Sequence, residues 1–186
     1  MIVALAGRRI DANDAERPVF PLALADSVKA KLIDALRYAN ATHIVSSGAC
    51  GSDLLAMQAA ETLQIPKTMI LPFKAETFKS TSVTDRPGDW GPIFDYLVAE
   101  LKQSEHLIEL DFDKDDPDVY TKTNFHILDE AEKLSSKNNH EKNSAGKLMA
   151  MIIWEGKPKS SGDATHHFMQ EAQKRNFIIK EIRINE

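Results

Sequence analysis

Short β-rich apolar runs alternate with longer stretches of helical period along the whole chain, and this alternation constrains the fold more than any other feature. Ile2–Ala6 is a short apolar run ending at Gly7, with the length and Ile-Val content of a buried strand. Leu24, Val28, Leu32 and Leu36 then recur every four residues, which places them on one helix face. His43–Ser47 predicts a second strand, and Ser52–Gln64 a helix stopped by Pro66, whose small residues allow close packing on a sheet. Thr68–Leu71, closed by Pro72, predicts a third strand, followed by a helix from Trp90 to Lys102 and a fourth strand at His106–Leu110. Tyr120, Ile127, Leu128, Ala131 and Leu134 mark another helix. Met149–Trp154 is a fifth strand, Thr165, Phe168, Met169 and Ala172 stripe a last helix, and Phe177–Ile184 is a final strand. Such an order predicts βαβ units: a mostly parallel sheet of about six strands with helices on both faces, in three layers. The first five strands read as buried. The last carries Lys180, Glu181 and Arg183 among its apolar residues and belongs at an edge.

At 186 residues the chain suits one domain, with polar excursions at Asp111–Asp118 and Ser135–Lys147. One cysteine excludes an internal disulfide framework and a multi-thiolate zinc cage, and fits a reducing, cytoplasmic home. No run reaches the ~18 apolar residues of a membrane span, and the start of the chain does not read as a signal peptide, so no membrane partner is expected. The net charge of −5 argues against generic nucleic-acid binding. Asp111, Asp113 and Asp115 have the spacing of a calcium loop, but Asp116 and Lys122 stand where such a loop needs glycine and glutamate. His166 and His167 are adjacent on a helix and point about 100° apart, so they cannot chelate one ion. No metal and no cofactor are expected.

In an open parallel sheet, ligands bind beyond the carboxyl ends of the strands, where strand order reverses. That rule selects Gly7-Arg8-Arg9, the turn Ser47-Gly48-Ala49-Cys50-Gly51-Ser52-Asp53, Pro72-Phe73, and Trp154 to Gly156 with the loop behind it. The second segment places two glycines at a strand–helix turn. It reads either as a plain glycine-rich βα turn or as an anion site at a helix N-terminus, where orphan N–H groups favour phosphate or carboxylate. Ser52 or Asp53 is a plausible N-cap. The loop Gly156–Thr165 again precedes a helix, with Gly162 for flexibility, Asp163 or Thr165 as cap, and Lys157 and Lys159 as candidate anion contacts. Cys50, beside a helix N-terminus, reads as ligand-lining or structural, with a redox role as the alternative. Thr77–Val83 and Asp89-Trp90 read as a lid in which Phe78 or Trp90 either stacks on a base or pins the loop to the core.

The pattern Ser47 to Leu55, with Ala59-Ala60 and then Ile70-Leu71-Pro72-Phe73, resembles the SLOG superfamily. These are Rossmann-like domains that include the bacterial DNA-processing protein A and the "lonely guy" phosphoribohydrolases. Trp154-x-Gly156 with Gly162-Asp163-Ala164-Thr165 is similar to the superfamily's second glycine-rich loop, and Arg8 through Pro21, with Arg17 and Phe20-Pro21, to the entry loop of SLOG domains fused to bacterial signalling modules. The resemblance implies a nucleotide or nucleotide-derived ligand held between the two glycine loops by their backbone amides, assisted by Arg8 or Arg9, in a homo-oligomer. Lonely-guy enzymes carry a glutamate three residues after the threonine of that loop, and here the position is Phe168. A binding or sensing module is therefore the leading expectation. Hydrolysis of nucleotide N-glycosidic bonds, with Glu171 or Asp163 as the acid, is the alternative, and handling of single-stranded DNA a third.

Overall fold

The computed structural model describes residues 1–137 and 148–185. Its strands are β1 (Ile2–Gly7), β2 (His43–Ser46), β3 (Lys67–Leu71), β4 (Leu107–Glu109), β5 (Leu148–Trp154) and β6 (Ile178–Arg183). Between them lie α1 (Ala25–Tyr38), α2 (Ser52–Thr62), α3 (Ala75–Ser82), α4 (Trp90–Gln103), α5 (Val119–Lys137) and α6 (Ala164–Lys174). The strands form one sheet in the order β4-β3-β2-β1-β5-β6, and every pairing is parallel. The chain builds leftward from β1 to β4, returns through α5, and builds rightward from β5 to β6. The switch point thus lies between β1 and β5, whose register aligns Gly7 with Ile153.

Alternation along the strands separates two apolar layers, because successive side chains point to opposite faces. Val3, Leu5, Ile44, Met69, Leu71, Met151 and Ile153 face α1, α2 and α4. Ile2, Ala4, Ala6, Val45, Ile70, Ala150, Ile152 and Trp154 face α5 and α6. The right-handed rule for parallel crossovers requires this division, since the two halves of the sheet grow in opposite directions. Ala56, Ala59 and Ala60 let α2 pack between α1 and α4, buried along most of its length. Phe168 of α6 is fully buried in the second layer, a position where loss of the ring typically costs about 3–5 kcal/mol.

Two expectations need correction. β4 is not buried but forms the second edge, with Leu107, Ile108 and Glu109 each half-buried, since among the described residues no strand lies beyond it. The stretch from Thr77 to Val83 is no loop: α3 covers most of it, with Phe78 buried against Phe73 and Phe94. Trp90 is also buried, and its Nε1 donates to the Pro87 carbonyl at 2.8 Å. It therefore pins the turn before α4. The β6 edge, carrying Ile178 and Lys180, stands where the sequence places it. The excursion Ser135–Lys147 begins within α5, and residues 138–147 lie outside the described residues. No helix among the described residues is long and apolar enough to cross a membrane.

Candidate functional site

A cavity of about 610 Å³ opens at the carboxyl ends of β1 and β2, beside the switch point. Its walls come from Gly7 to Ala12 after β1, Ala15 to Arg17 in the same loop, Ser47, Ala49 and Asp53, and Lys159 with Asp163 to Thr165. Phe78, Ser82 and Arg86 close one side, and Tyr120, Thr123 and Asn124 of α5 another.

The two loops approach so closely that a Cβ on Gly7 would stand 2.5 Å from the Ser52 hydroxyl oxygen. Gly51 has φ +102°, a conformation L residues avoid, and forms an antiparallel bridge with Arg9. The N-cap of α2 is Gly51, with no side-chain cap, so neither Ser52 nor Asp53 caps it. Ser52 instead turns back, its amide and hydroxyl both donating to the Arg8 carbonyl, at 3.0 and 2.8 Å. The Cys50 amide donates to the Ser82 carbonyl at 3.0 Å, and the Ala49 amide to Asp53 Oδ2 at 3.3 Å. The amides of Ala49, Cys50 and Ser52 therefore already have acceptors within the protein.

Amides of the second glycine loop are engaged in the same way. Asp163 caps α6, accepting from the Thr165 and His166 amides at 3.0 and 3.2 Å and from the Lys159 amide at 2.7 Å. Arg8 donates to Asp163 from Nη1 at 2.7 Å and grips Glu155 with two parallel bonds, Nε at 2.7 Å and Nη2 at 3.1 Å. Its Nη2 also reaches the Lys157 carbonyl at 3.1 Å. Burial opposes the charge on Arg8, but the two carboxylates more than offset it, and its pKa is raised. Burial would raise the Asp163 carboxyl, yet Arg8 and the surrounding amides bring it down to about 2. Arg8, Glu155 and Asp163 thus tie β1, the end of β5 and the start of α6 together. Arg8 and Asp163 touch the cavity, but their charges answer each other.

Asp53 is different. Burial pushes its carboxyl up to about 7, against the pull of the Ala49 amide, Arg9 and the Ser46 hydroxyl. Strongly shifted carboxyls of this kind are enriched in active-site clefts. Burial likewise raises the Cys50 thiol, which is fully enclosed and accepts from Arg9 Nη2 at 3.6 Å. That enclosure makes Cys50 a packing residue rather than a redox centre.

Arg9, Arg17, Ser47, Ala49, Asp53, Asp163 and Thr165 line the cavity together with Gly7 and Arg8. Gly48, Cys50, Gly51, Ser52, Pro72, Phe73, Trp154, Gly156 and Gly162 do not. Gly48 packs against Met69 and Phe94, Phe73 against Phe78, and Trp154 against the His166 ring at 6.0 Å between centroids. A Cβ at Gly156 would collide with the Arg183 guanidinium, whereas one at Gly162 would meet nothing within 4 Å. Glu171 lies outside the cavity, bound to Arg175 at 3.0 Å, which holds its carboxyl below the usual range. Sequence reasoning missed Arg86, Tyr120 and Asn124. The charged pair Asp85-Arg86 just before the Pro87-Gly88 turn was the available signal for the first. Tyr120 and Asn124 bore none beyond their place at the start of a helix.

The strand order defines a Rossmann-like parallel α/β domain, with a cavity beside the switch point. No protein-family model and no curated protein matches the chain. Among solved structures it is similar to DNA processing protein A from Streptococcus pneumoniae, at 17% identity and a TM-score of 0.43. The likeness covers 96% of this chain and 57% of that one, so the chain spans little more than half that protein's length.

Proposed function

We propose that the domain binds a nucleotide or nucleotide-derived small molecule in this cavity, as a sensing module, and that side chains rather than glycine-loop amides hold its anionic part. The carrying observation is the excess of cations over acids in the cavity lining: Arg9, Arg17, Arg86 and Lys159 stand against Asp11 and Glu16, while Arg8 is neutralised by Glu155 and Asp163. A volume of about 610 Å³ lies within the ~300–1,000 Å³ range of small-molecule sites. Asn124, whose Nδ2 donates to the Ala164 carbonyl at 3.0 Å, lines the same cavity. Tyr120 and the Ser47 and Thr165 side chains add polar and aromatic surface suited to a ribose or base. The resemblance of the loop sequences to the SLOG superfamily supports the same ligand class. Calorimetry against mono-, di- and cyclic nucleotides tests the reading. Binding that weakens in Arg9→Gln is the expected result, and no heat with any of them from the folded protein refutes it.

Asp53 favours a second reading, hydrolysis of an N-glycosidic bond. Glu171 is outside the cavity and Asp163, held near 2, has no proton to give at neutral pH. Asp53, brought to about 7, is the carboxyl able to act as a general acid. Release of free base from nucleoside monophosphates, abolished in Asp53→Asn, would establish turnover. Its absence leaves binding alone.

A further inference from the structure

Asp85 and Arg86 belong to the turn between α3 and α4, which Trp90 anchors through its bond to the Pro87 carbonyl. Arg9 comes from the loop after β1, its Nη2 standing 3.6 Å from the Cys50 sulfur. The Asp85 carboxylate bridges the two: one oxygen takes Arg9 Nη2 and the other stands 3.4 Å from Arg86 Nε. A guanidinium offers five N–H donors. Here the Nε atoms of both arginines are buried without a hydrogen-bond partner. One carboxylate therefore serves two cations and leaves the Nε donor of each unpaired. Both arginines face the cavity, whereas Asp85, about one-third exposed, is not among its walls.

We infer that Arg9 and Arg86 form a two-arginine site for a multiply charged phosphoryl anion and that Asp85 is its built-in counter-ion, displaced when the anion binds. The idea rests on the proposed ligand-binding role of the cavity and adds a mechanism to it. A dianion neutralises both guanidiniums and can bond each through parallel N–H···O contacts, which Asp85 does with neither. Binding is then an exchange of counter-ions. Asp85 lowers affinity for weakly charged molecules and so sets a charge threshold for the ligand.

Inorganic pyrophosphate is the probe, titrated calorimetrically into wild-type protein, Asp85→Asn and Asp85→Asn/Arg86→Gln, with thermal unfolding recorded for each. Freed of its competitor, Asp85→Asn is expected to bind about tenfold more tightly, the equivalent of one charge-assisted hydrogen bond no longer broken on binding. Arg86→Gln in the same background removes the gain. Asp85→Ser gives the same answer if the amide disturbs the turn. Equal or weaker binding in folded Asp85 variants, alongside nucleotide binding by the wild type, overturns the counter-ion role and leaves the proposed function standing. Failure of every variant to bind pyrophosphate or any nucleotide defeats both.

Discussion

Replacing Asp53 with asparagine keeps the side-chain shape and removes its charge, which makes it a direct test of how dry the cavity floor is. Raising a carboxyl from 3.8 to about 7 means that ionising it in the folded protein costs about 4 kcal/mol more than in the unfolded chain. Between those values the folded state keeps a proton that the unfolded state has released. Stability therefore falls as pH rises through this window, and the full cost applies above 7. An asparagine at this position carries no such cost. Urea denaturation of the two proteins should show the stability of Asp53→Asn minus that of wild type increasing by about 2.5 kcal/mol from pH 5 to pH 8. With a slope of about 2 kcal/mol/M, the midpoints separate by roughly 1 M more at the higher pH. All other titrating groups contribute equally to both proteins and drop out of the difference. A gap that stays constant with pH would mean that Asp53 ionises near its ordinary value, and that water reaches it.

Arg8→Met should destabilise the fold by about 3–5 kcal/mol in chemical denaturation, because Glu155 and Asp163 are left buried without their cation. His43 gives a pH effect of the opposite sign to Asp53. Burial, with His106 adding to it, lowers its pKa to about 4, so the unfolded chain takes up a proton between 6.5 and 4 that the folded protein refuses. That contribution is present above 6.5 and is lost as pH falls, by about 3 kcal/mol in all. His43→Gln should flatten this part of the wild-type denaturation profile. Gly51→Ala should lower the melting temperature by several degrees, since the new Cβ meets the Ile10 nitrogen at 2.7 Å in a left-handed backbone, while Gly162→Ala leaves it unchanged. Finally, ionised Asp53 adds a negative charge beside Arg9. Affinity for a cyclic nucleotide, whose phosphodiester charge is constant near neutrality, should therefore weaken in calorimetry as pH rises through about 7, and Asp53→Asn should abolish that dependence.

The strands and most helices were legible because their signal is local. Leu32 and Leu36, or Ile152 and Trp154, declare a helix face or a strand face within a few residues. Helix α3 was not, because its eight residues are rich in Ser and Thr and carry a single large apolar anchor, Phe78. It exists through its contacts with Phe73 and Phe94, which lie outside it in sequence. The location of the pocket was legible for a topological reason: alternating βαβ order brings the ends of β1 and β2 to one rim.

What occupies that rim depends on partners that no window of sequence contains. Cys50 finds Ser82 and Ser52 finds Arg8, while Arg8 finds Asp163 across 155 positions. These bonds occupy several of the amides and side chains that the sequence alone would offer to an anion. They also change the meaning of the acidic composition. Asp163 and Glu155 are consumed by Arg8, Asp11 accepts the amides of Val19 and Phe20 at 2.7 and 2.6 Å, and Asp53 holds its proton near neutrality. Arg9 and Arg86, by contrast, share one exposed carboxylate. A chain of net charge −5 can thus present a cationic pocket wall. Asp11, Glu155 and Asp163 hold the walls in place, and Arg9, Arg17 and Arg86 line the cavity beside Glu16.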